Sequence, residues 1–297
     1  MIVESMSLAS LLSATPNVVP SKLIGDLSVD ITGIAYDSNG VKPGSVFCCL
    51  SGERFDGHDF AAEAVSAGAV ALLVSREVPV AVPQVQVHDV RQAMAWLSAG
   101  FYGYPSQKLQ VIGITGTNGK TTTAHLMAAI LHQHGWATEV FGTLSSVRTT
   151  PEAPDLQRKF AEQLEAGKRA VVMEVSSHAL TQDRIVGTRF DASIFTNLSR
   201  EHLDYHDNIE KYFSAKAMLF RPEFSDIGII NRDDVHGKLL ADAVEIDVET
   251  FGESDASDIQ FDVMQHAFTW RNQRLKVSIG GRFNVMNSLA AATAAAK

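Results

Sequence analysis

Cysteine is almost missing from this sequence: the two present, Cys48 and Cys49, are adjacent, so a disulfide framework is excluded. No run approaches the roughly 18 to 20 apolar residues that a membrane span requires. No basic stretch precedes the short apolar segment at residues 8–12, which argues against a secretory leader. Positive charge is scarce as well. Lys plus Arg number 25 against 34 Asp plus Glu, and the formal net charge of −9 repels nucleic acid, so any phosphate must be held locally. Repeats and low-complexity tracts are lacking, apart from an alanine-rich stretch near Lys297. These absences point to a cytoplasmic globular protein with no nucleic-acid or membrane partner. Its 297 residues, 45% of them hydrophobic, exceed the usual size of one domain.

Short strands are expected over 31–36, 46–50 and 69–74, with helices over 59–67 and 90–102. In the second of these strands Cys48 and Cys49 should face opposite sides of a sheet. Gly103 and Pro105 then break the pattern, placing a boundary between a small α/β domain, 1–106, and a second domain, 107–297. Beyond it, strands over 111–115, 139–142, 170–175, 192–197 and 227–231 alternate with helices over 121–134, 155–166 and 208–220. Such alternation predicts a mostly parallel, P-loop-type sheet with helices on both faces. Residues 259–279 alternate instead like antiparallel strands around a polar turn at 271–273. A helix is expected over 287–297, and with no cap after its alanines it reads as one cut short.

Between the strand 111–115 and the helix 121–134 lies Gly116-Thr117-Asn118-Gly119-Lys120-Thr121. Small residues let backbone N–H groups close around phosphate oxygens, the helix start adds partial positive charge, Lys120 can reach terminal phosphates and Thr121 can ligate Mg²⁺. The loop is shorter than G-x-x-x-x-G-K-T, which would place glycine where Ile114 stands. Nucleotide binding outweighs the alternative of an ordinary glycine-rich turn, because strand, loop and helix come in the right order. Downstream, Glu174 ends an apolar strand, where ligands of open α/β sheets collect. His202 and His206 follow another strand; each by itself reads more as a hydrogen-bonded or surface residue than as a metal ligand, and their place beside the phosphate edge adds weight to the ligand reading. Lys216 lies in a helix whose apolar stripe is Phe213, Ala217 and Phe220, and chemistry alone makes it a lysine snorkelling to solvent.

Four strings in order are specific: Thr115-Gly-Thr-Asn-Gly-Lys-Thr-Thr-Thr, Thr149-Thr-Pro-Glu-Ala-Pro-Asp-Leu, Met173-Glu-Val-Ser-Ser-His-Ala-Leu and Phe195-Thr-Asn-Leu-Ser-Arg-Glu-His-Leu-Asp-Tyr-His. With them the whole chain resembles the Mur ligase family, and within it the UDP-N-acetylmuramoyl-tripeptide synthetase branch. Asp37-Ser38-Asn39, Lys42-Pro-Gly and Phe55-Asp-Gly-His resemble that family's uridine-nucleotide-binding first domain. Asn39 stands where the family usually has Arg, and Arg148 where it often has Asn.

The resemblance implies an ATP-dependent ligase of cell-wall synthesis that adds meso-diaminopimelate or L-lysine to UDP-N-acetylmuramoyl-L-alanyl-D-glutamate through an acyl phosphate, as a monomer. It implies that Gly116, Thr117, Asn118, Gly119, Lys120, Thr121 and Thr122 bind ATP, with Asn284 and Asn287 near the adenine. Thr121, Glu174, His202 and a carbamylated Lys216 would handle Mg²⁺; Lys120, Lys216, His202 and Arg184 would serve catalysis. Thr149, Thr150, Ser176, Gln182 and Arg184 would hold the muramoyl-dipeptide, and Ser38, Glu53, Arg54 and Phe55 the uridine end. The family's third domain carries Asp-Asn-Pro-Arg, and that motif is not in this sequence. A truncated ligase is therefore expected, with a stand-alone nucleotide-binding or regulatory protein as the alternative. A relative of folylpolyglutamate synthase is disfavoured by the three threonines after Gly119-Lys120 and by the uridine-type first domain.

Overall fold

The computed structural model describes residues 5–52, 55–144, 148–201 and 203–297. The chain forms two units: Met1–Pro105 with Glu152–Glu165 and Gln182–Thr188, and the remainder. The first unit begins with β1 (Met6–Ser7), α1 (Leu8–Ala14), β2 (Lys22–Ile24), β3 (Asp30–Ile31), β4 (Gly33–Ala35) and β5 (Ser45–Cys48). It continues with α2 (Ala61–Ser66), β6 (Ala69–Val74), β7 (Gln84–Gln86) and α3 (Val90–Phe101). Its five-stranded sheet has the order β2-β7-β6-β5-β4, parallel except for β2 against β7.

Period-two alternation sorts the strand residues into two cores. Val46, Cys48, Ala71 and Leu73 pack with Leu8 and Leu11 of α1 and Met94, Leu97 and Phe101 of α3. Phe47, Cys49, Leu72 and Val74 pack with Ala61 and Ala64 of α2. The strand expected over 31–36 is split at Thr32, whose N–H donates to Gly44 O and whose hydroxyl donates to Pro43 O at 2.8 Å. That residue is drawn out of the ladder by the neighbouring turn.

The second unit runs β8 (Gln110–Thr115), α4 (Lys120–Gln133) and β9 (Thr138–Phe141), after which α5 (Ala153–Glu165) belongs to the first unit. Then come β10 (Ala170–Glu174), α6 (Ser177–Thr181), β11 (Phe190–Phe195), α7 (Leu203–His206), α8 (Ile209–Ala217), β12 (Ser225–Asn231), α9 (Val235–Ala243) and β13 (Asp247–Phe251). The strands form a six-stranded sheet, β13-β12-β11-β8-β10-β9, parallel throughout. Because the chain leaves β8 toward one edge and later returns to its other side, the carboxyl end of β8 is a switch point, where such sheets form a crevice.

Ile112, Ile114, Val172, Ile194 and Ile229 meet Met127 and Leu131 of α4 on one face. The same core takes Leu289, Ala290, Ala291 and Ala294 of α10 (Phe283–Ala295), whose small side chains let it lie close against α4. Before α10 come β14 (Ala256–Phe261), β15 (His266–Trp270) and β16 (Gln273–Val277), an antiparallel sheet as the alternation predicts. Arg271 and Asn272 link the last two with φ of 47° and 63°, the backbone of a twist-matched two-residue hairpin turn.

The sequence pattern reads α5 as a cover of the parallel sheet; the structure corrects this. Its buried residues Leu156, Gln157, Phe160 and Ala161 serve the first unit, where α5 lies against α3. Tyr36 donates its hydroxyl to Asp155 at 2.6 Å, and Gln157 donates to Thr188 Oγ1 at 2.9 Å. Among the described residues, no helix is long and apolar enough to cross a membrane.

Candidate functional site

Only four residues, Gly116 to Gly119, join β8 to α4. Gly119 takes φ of 89° as the residue before the helix, and a side chain there would collide with the amide of Asn287. Gly116 is pressed against the Thr196 hydroxyl and the backbone of Asn197. Lys120 curls back, its Nζ donating to the carbonyls of Gly116 and Thr117, both at 2.8 Å. Burial lowers its pKa, with Glu174 and Glu201 acting in the opposite direction.

Glu174 is the last residue of β10 and is 1% exposed. Its Oε2 accepts from Thr121 Oγ1 at 3.0 Å and its Oε1 from the Thr143 N–H at 3.0 Å. Gly142 leaves room for this carboxylate, since a Cβ there would overlap it. Thr150, fully buried, donates its hydroxyl to Glu174 O at 3.0 Å and accepts from the Ser176 N–H at 3.1 Å. Thr149 and Thr143 share a hydroxyl contact at 3.3 Å, and Ser176 Oγ accepts from the Ala179 N–H at 3.2 Å. Thr121, Glu174, Thr149, Thr150 and Ser176 thus gather beyond the ends of β8, β9 and β10.

Lys216 does not snorkel. It is 2% exposed, because the buried face of α8 is Tyr212, Ala215 and Lys216, one position away from the stripe that the sequence marks. Its Nζ donates to Gly116 O at 2.9 Å and lies 4.6 Å from the centre of the Tyr212 ring. Burial first, then the nearby Lys120 charge, pushes its pKa down to about 6. His206, also buried, pairs through Nε2 with Ser177 Oγ at 2.8 Å. His202 lies outside the described residues. On the α10 side, Thr123 donates to Asn287 Oδ1 at 3.4 Å and Asn287 donates to Asn284 Oδ1 at 2.9 Å, which places both asparagines beside the start of α4.

Arg184 and Gln182 belong to the first unit, where Arg184 Nη2 donates to Gln182 Oε1 at 2.5 Å. Glu152, 5% exposed, sits between two guanidinium groups, with Arg184 Nε 3.0 Å from one carboxylate oxygen and Arg91 Nη1 2.9 Å from the other. Ser38 opens a 3₁₀ turn capped by Asp37, and Asn39 donates to Asp37 Oδ1 from its backbone at 2.9 Å and from Nδ2 at 3.1 Å. Asn39 therefore closes a turn rather than projecting a charge. Phe55 is exposed and meets Phe60 edge-on; Glu53 and Arg54 lie outside the described residues.

The residue pattern gave no reason to single out Glu152, Tyr212, Thr196 or Asn197. Glu152, Thr196 and Asn197 stand in quoted strings, but nothing in spacing marks them; the partners of Thr196 and Asn197 are backbone groups of the loop. Among the described residues, no three His, Cys, Asp or Glu side chains cluster as a metal site would.

Residues 114–295 match the family described as the Mur ligase middle domain, and residues 30–102 match the Mur ligase family, catalytic domain. The chain is 39% identical over 313 positions to the UDP-N-acetylmuramoyl-L-alanyl-D-glutamate--2,6-diaminopimelate ligase of Listeria monocytogenes, covering 96% of this chain and 63% of that one. It is 40% identical over 299 positions to the ligase of the same name from Aquifex aeolicus, covering 94% and 62%. A solved structure of a ligase of that name is similar with a TM-score of 0.82 at 27% identity, over 98% of this chain and 63% of that one. MurF from Acinetobacter baumannii, at 24% identity and a TM-score of 0.72 over 100% and 66%, shares the fold. The chain spans about three fifths of the length of the curated relatives it matches. With well over half of its length matched by the middle-domain model, the chain belongs to the Mur ligase family, in the branch of the UDP-N-acetylmuramoyl-tripeptide synthetases.

Proposed function

We propose that this chain carries the uridine-nucleotide and ATP sites of a ligase that adds a diamino acid, meso-diaminopimelate or L-lysine, to UDP-N-acetylmuramoyl-L-alanyl-D-glutamate. The observation that carries the proposal is the bond from Thr121 to the buried carboxylate of Glu174 at the mouth of the Gly116 to Lys120 loop, at 3.0 Å. A strand-end carboxylate kept from solvent and joined to the first helical turn after such a loop is what phosphoryl transfer needs. Residues 1–106 would take the uridine end through Ser38, Glu53, Arg54 and Phe55, and residues 107–297 would take ATP. Dependence on ATP would place the reaction in the cytoplasm.

A carboxylate cannot be displaced by an amine directly, because hydroxide or oxide would have to leave. In the proposed reaction a D-glutamate carboxylate oxygen bonds to the γ-phosphorus of ATP as the bond from that phosphorus to the β,γ-bridging oxygen breaks, releasing ADP. The amine nitrogen then bonds to the acyl carbon, phosphate leaves with the C–O electron pair, and the amine proton passes to solvent. Lys120 would turn from the Gly116 and Thr117 carbonyls toward the terminal phosphates and stabilise their charge. Each unit would contribute its own contacts to the muramoyl-dipeptide, Arg184 and Gln182 from the first and Thr149, Thr150 and Ser176 from the second. Asn284 and Asn287 would meet the adenine.

The oxygen donors of Thr121 and Glu174 fit a hard cation, and His202 would join them; Mg²⁺, when bound, neutralises phosphate charge. Lys216, with its pKa near 6, is neutral at cellular pH, the form of an amine that adds to CO₂ to give a carbamate. Calorimetric titration of the chain with Mg²⁺-ATP and with UDP-N-acetylmuramoyl-L-alanyl-D-glutamate tests the proposal. Saturable binding of each is expected; a folded chain that binds neither would end it.

A further inference from the structure

We propose that Asn197 is the positioning residue of the phosphate loop, acting through the backbone of Asn118 rather than on the nucleotide; this rests on the ATP-site reading above. The Asn197 amide forms a reciprocal pair with one residue of the loop. Its Oδ1 accepts from the Asn118 N–H at 2.9 Å and its Nδ2 donates to Asn118 O at 3.0 Å. The backbone of Asn197 adds a third bond, its carbonyl accepting from the Thr117 N–H at 2.9 Å. Thr196 Oγ1 donates to Asn118 O at 2.7 Å, and the Ser199 N–H donates to Thr117 Oγ1 at 2.9 Å. The close fit of Gly116 against Thr196 and Asn197 belongs to the same seam.

A loop this short has few residues with which to hold its own shape, so the segment after β11 holds it from outside. That segment is itself braced: Asn231 Nδ2 donates to Thr196 O at 2.7 Å, and the Leu198 N–H donates to Asp234 Oδ2 at 3.0 Å. Gripping both the N–H and the C=O of Asn118 takes a side chain that offers a donor and an acceptor side by side, which the amide does and a carboxylate does not. In Asn197→Asp the second oxygen would face the Asn118 carbonyl with no proton between them. The Asn118 peptide would then turn, and the groups following it, Gly119, Lys120 and Thr121, would lose their aim.

Titration of the chain and its variants with Mg²⁺-ATP, and separately with UDP-N-acetylmuramoyl-L-alanyl-D-glutamate, distinguishes positioning from general damage. Asn197→Asp should weaken ATP binding tenfold or more and leave the uridine ligand within twofold. Thr196→Val, which keeps the shape and removes one bond to Asn118, should weaken ATP severalfold and supplies the test if Asn197→Asp does not fold. Unchanged ATP affinity in a folded Asn197→Asp, or in Thr196→Val alone, overturns the inference. So does an equal loss for both ligands. A wild-type chain that binds no ATP overturns the functional reading and this inference with it, whereas ATP binding by wild type and variants alike overturns this inference only.

Discussion

Lys216 donates to the carbonyl of Gly116 at 2.9 Å, although 100 residues separate them in the sequence. The contact ties α8 to the loop after β8 and buries an amine whose pKa falls to about 6. In the unfolded chain the amine returns to its ordinary value of 10.5, so between about pH 6 and 10.5 the unfolded state binds more protons. Stability contributed at this position should therefore rise with pH through that window and level off below it. Urea midpoints at about pH 7 and about pH 9 should increase more for wild type than for Lys216→Met. Parallel changes in the two proteins would exclude the proposed titration.

The same neutral amine should take up labelled CO₂. Incubation with ¹³C-bicarbonate at neutral pH is expected to give a carbamate carbon resonance in wild type and none in Lys216→Arg, whose guanidinium does not carbamylate. A wild-type spectrum without that resonance would remove the carbamate from the proposed metal set.

Glu174→Gln keeps the size of the side chain and the acceptor for Thr143 while removing the charge. We expect Mg²⁺-ATP affinity to fall about tenfold or more, roughly the effect of one charge-assisted interaction, with metal-free ATP little changed. Equal losses with and without the metal would indicate that Glu174 only shapes the loop.

Glu152→Gln leaves the Arg91 and Arg184 guanidinium groups facing a neutral amide inside the first unit. Removing one partner from a buried ion pair is strongly destabilising, and because Arg91 keeps 29% of its side chain in contact with water, a loss of about 3 kcal/mol is expected. Denaturant unfolding measures it, and a change under about 1 kcal/mol would mean that solvent already screens the cluster.

Gly119→Ala meets two obstacles, a positive φ and the Asn287 amide. The backbone contribution is about 1–2 kcal/mol, and the collision adds to it. Combining Gly119→Ala with Asn287→Ala should recover the second part only. Strict additivity in that double-mutant cycle would show that the two residues do not touch.

The P-loop-type sheet, its order of motifs and the antiparallel hairpin near the end were legible because each leaves a local trace. An apolar strand runs into Gly116, residues alternate through β15 and β16, and a polar turn stands at Arg271. The parting of Cys48 from Cys49 could be read from strand periodicity alone. Less legible was anything set by distant packing. The helical pattern of α5 is plain, yet its docking on α3 depends on contacts such as Tyr36 to Asp155, which no local spacing encodes. The burial of Lys216 was hidden because α8 carries apolar residues on two adjacent stripes, and packing selected the one that holds the lysine. β2 and β7, three residues each, are too short to carry a periodic signal. The grip of Asn197 was invisible for a different reason: its partners are main-chain groups, common to every residue type.

Neighbouring thiols that lie in separate apolar compartments give the first unit a pair of built-in reporters. Cys48 shares its compartment with α1 and α3, and Cys49 shares its own with α2. Burial raises both thiol pKa values, that of Cys49 to about 12, so neither is reactive while its side of the sheet stays shut. Alkylation mapped to one or the other during mild denaturation would therefore time the opening of each side independently, at positions only a single peptide bond apart.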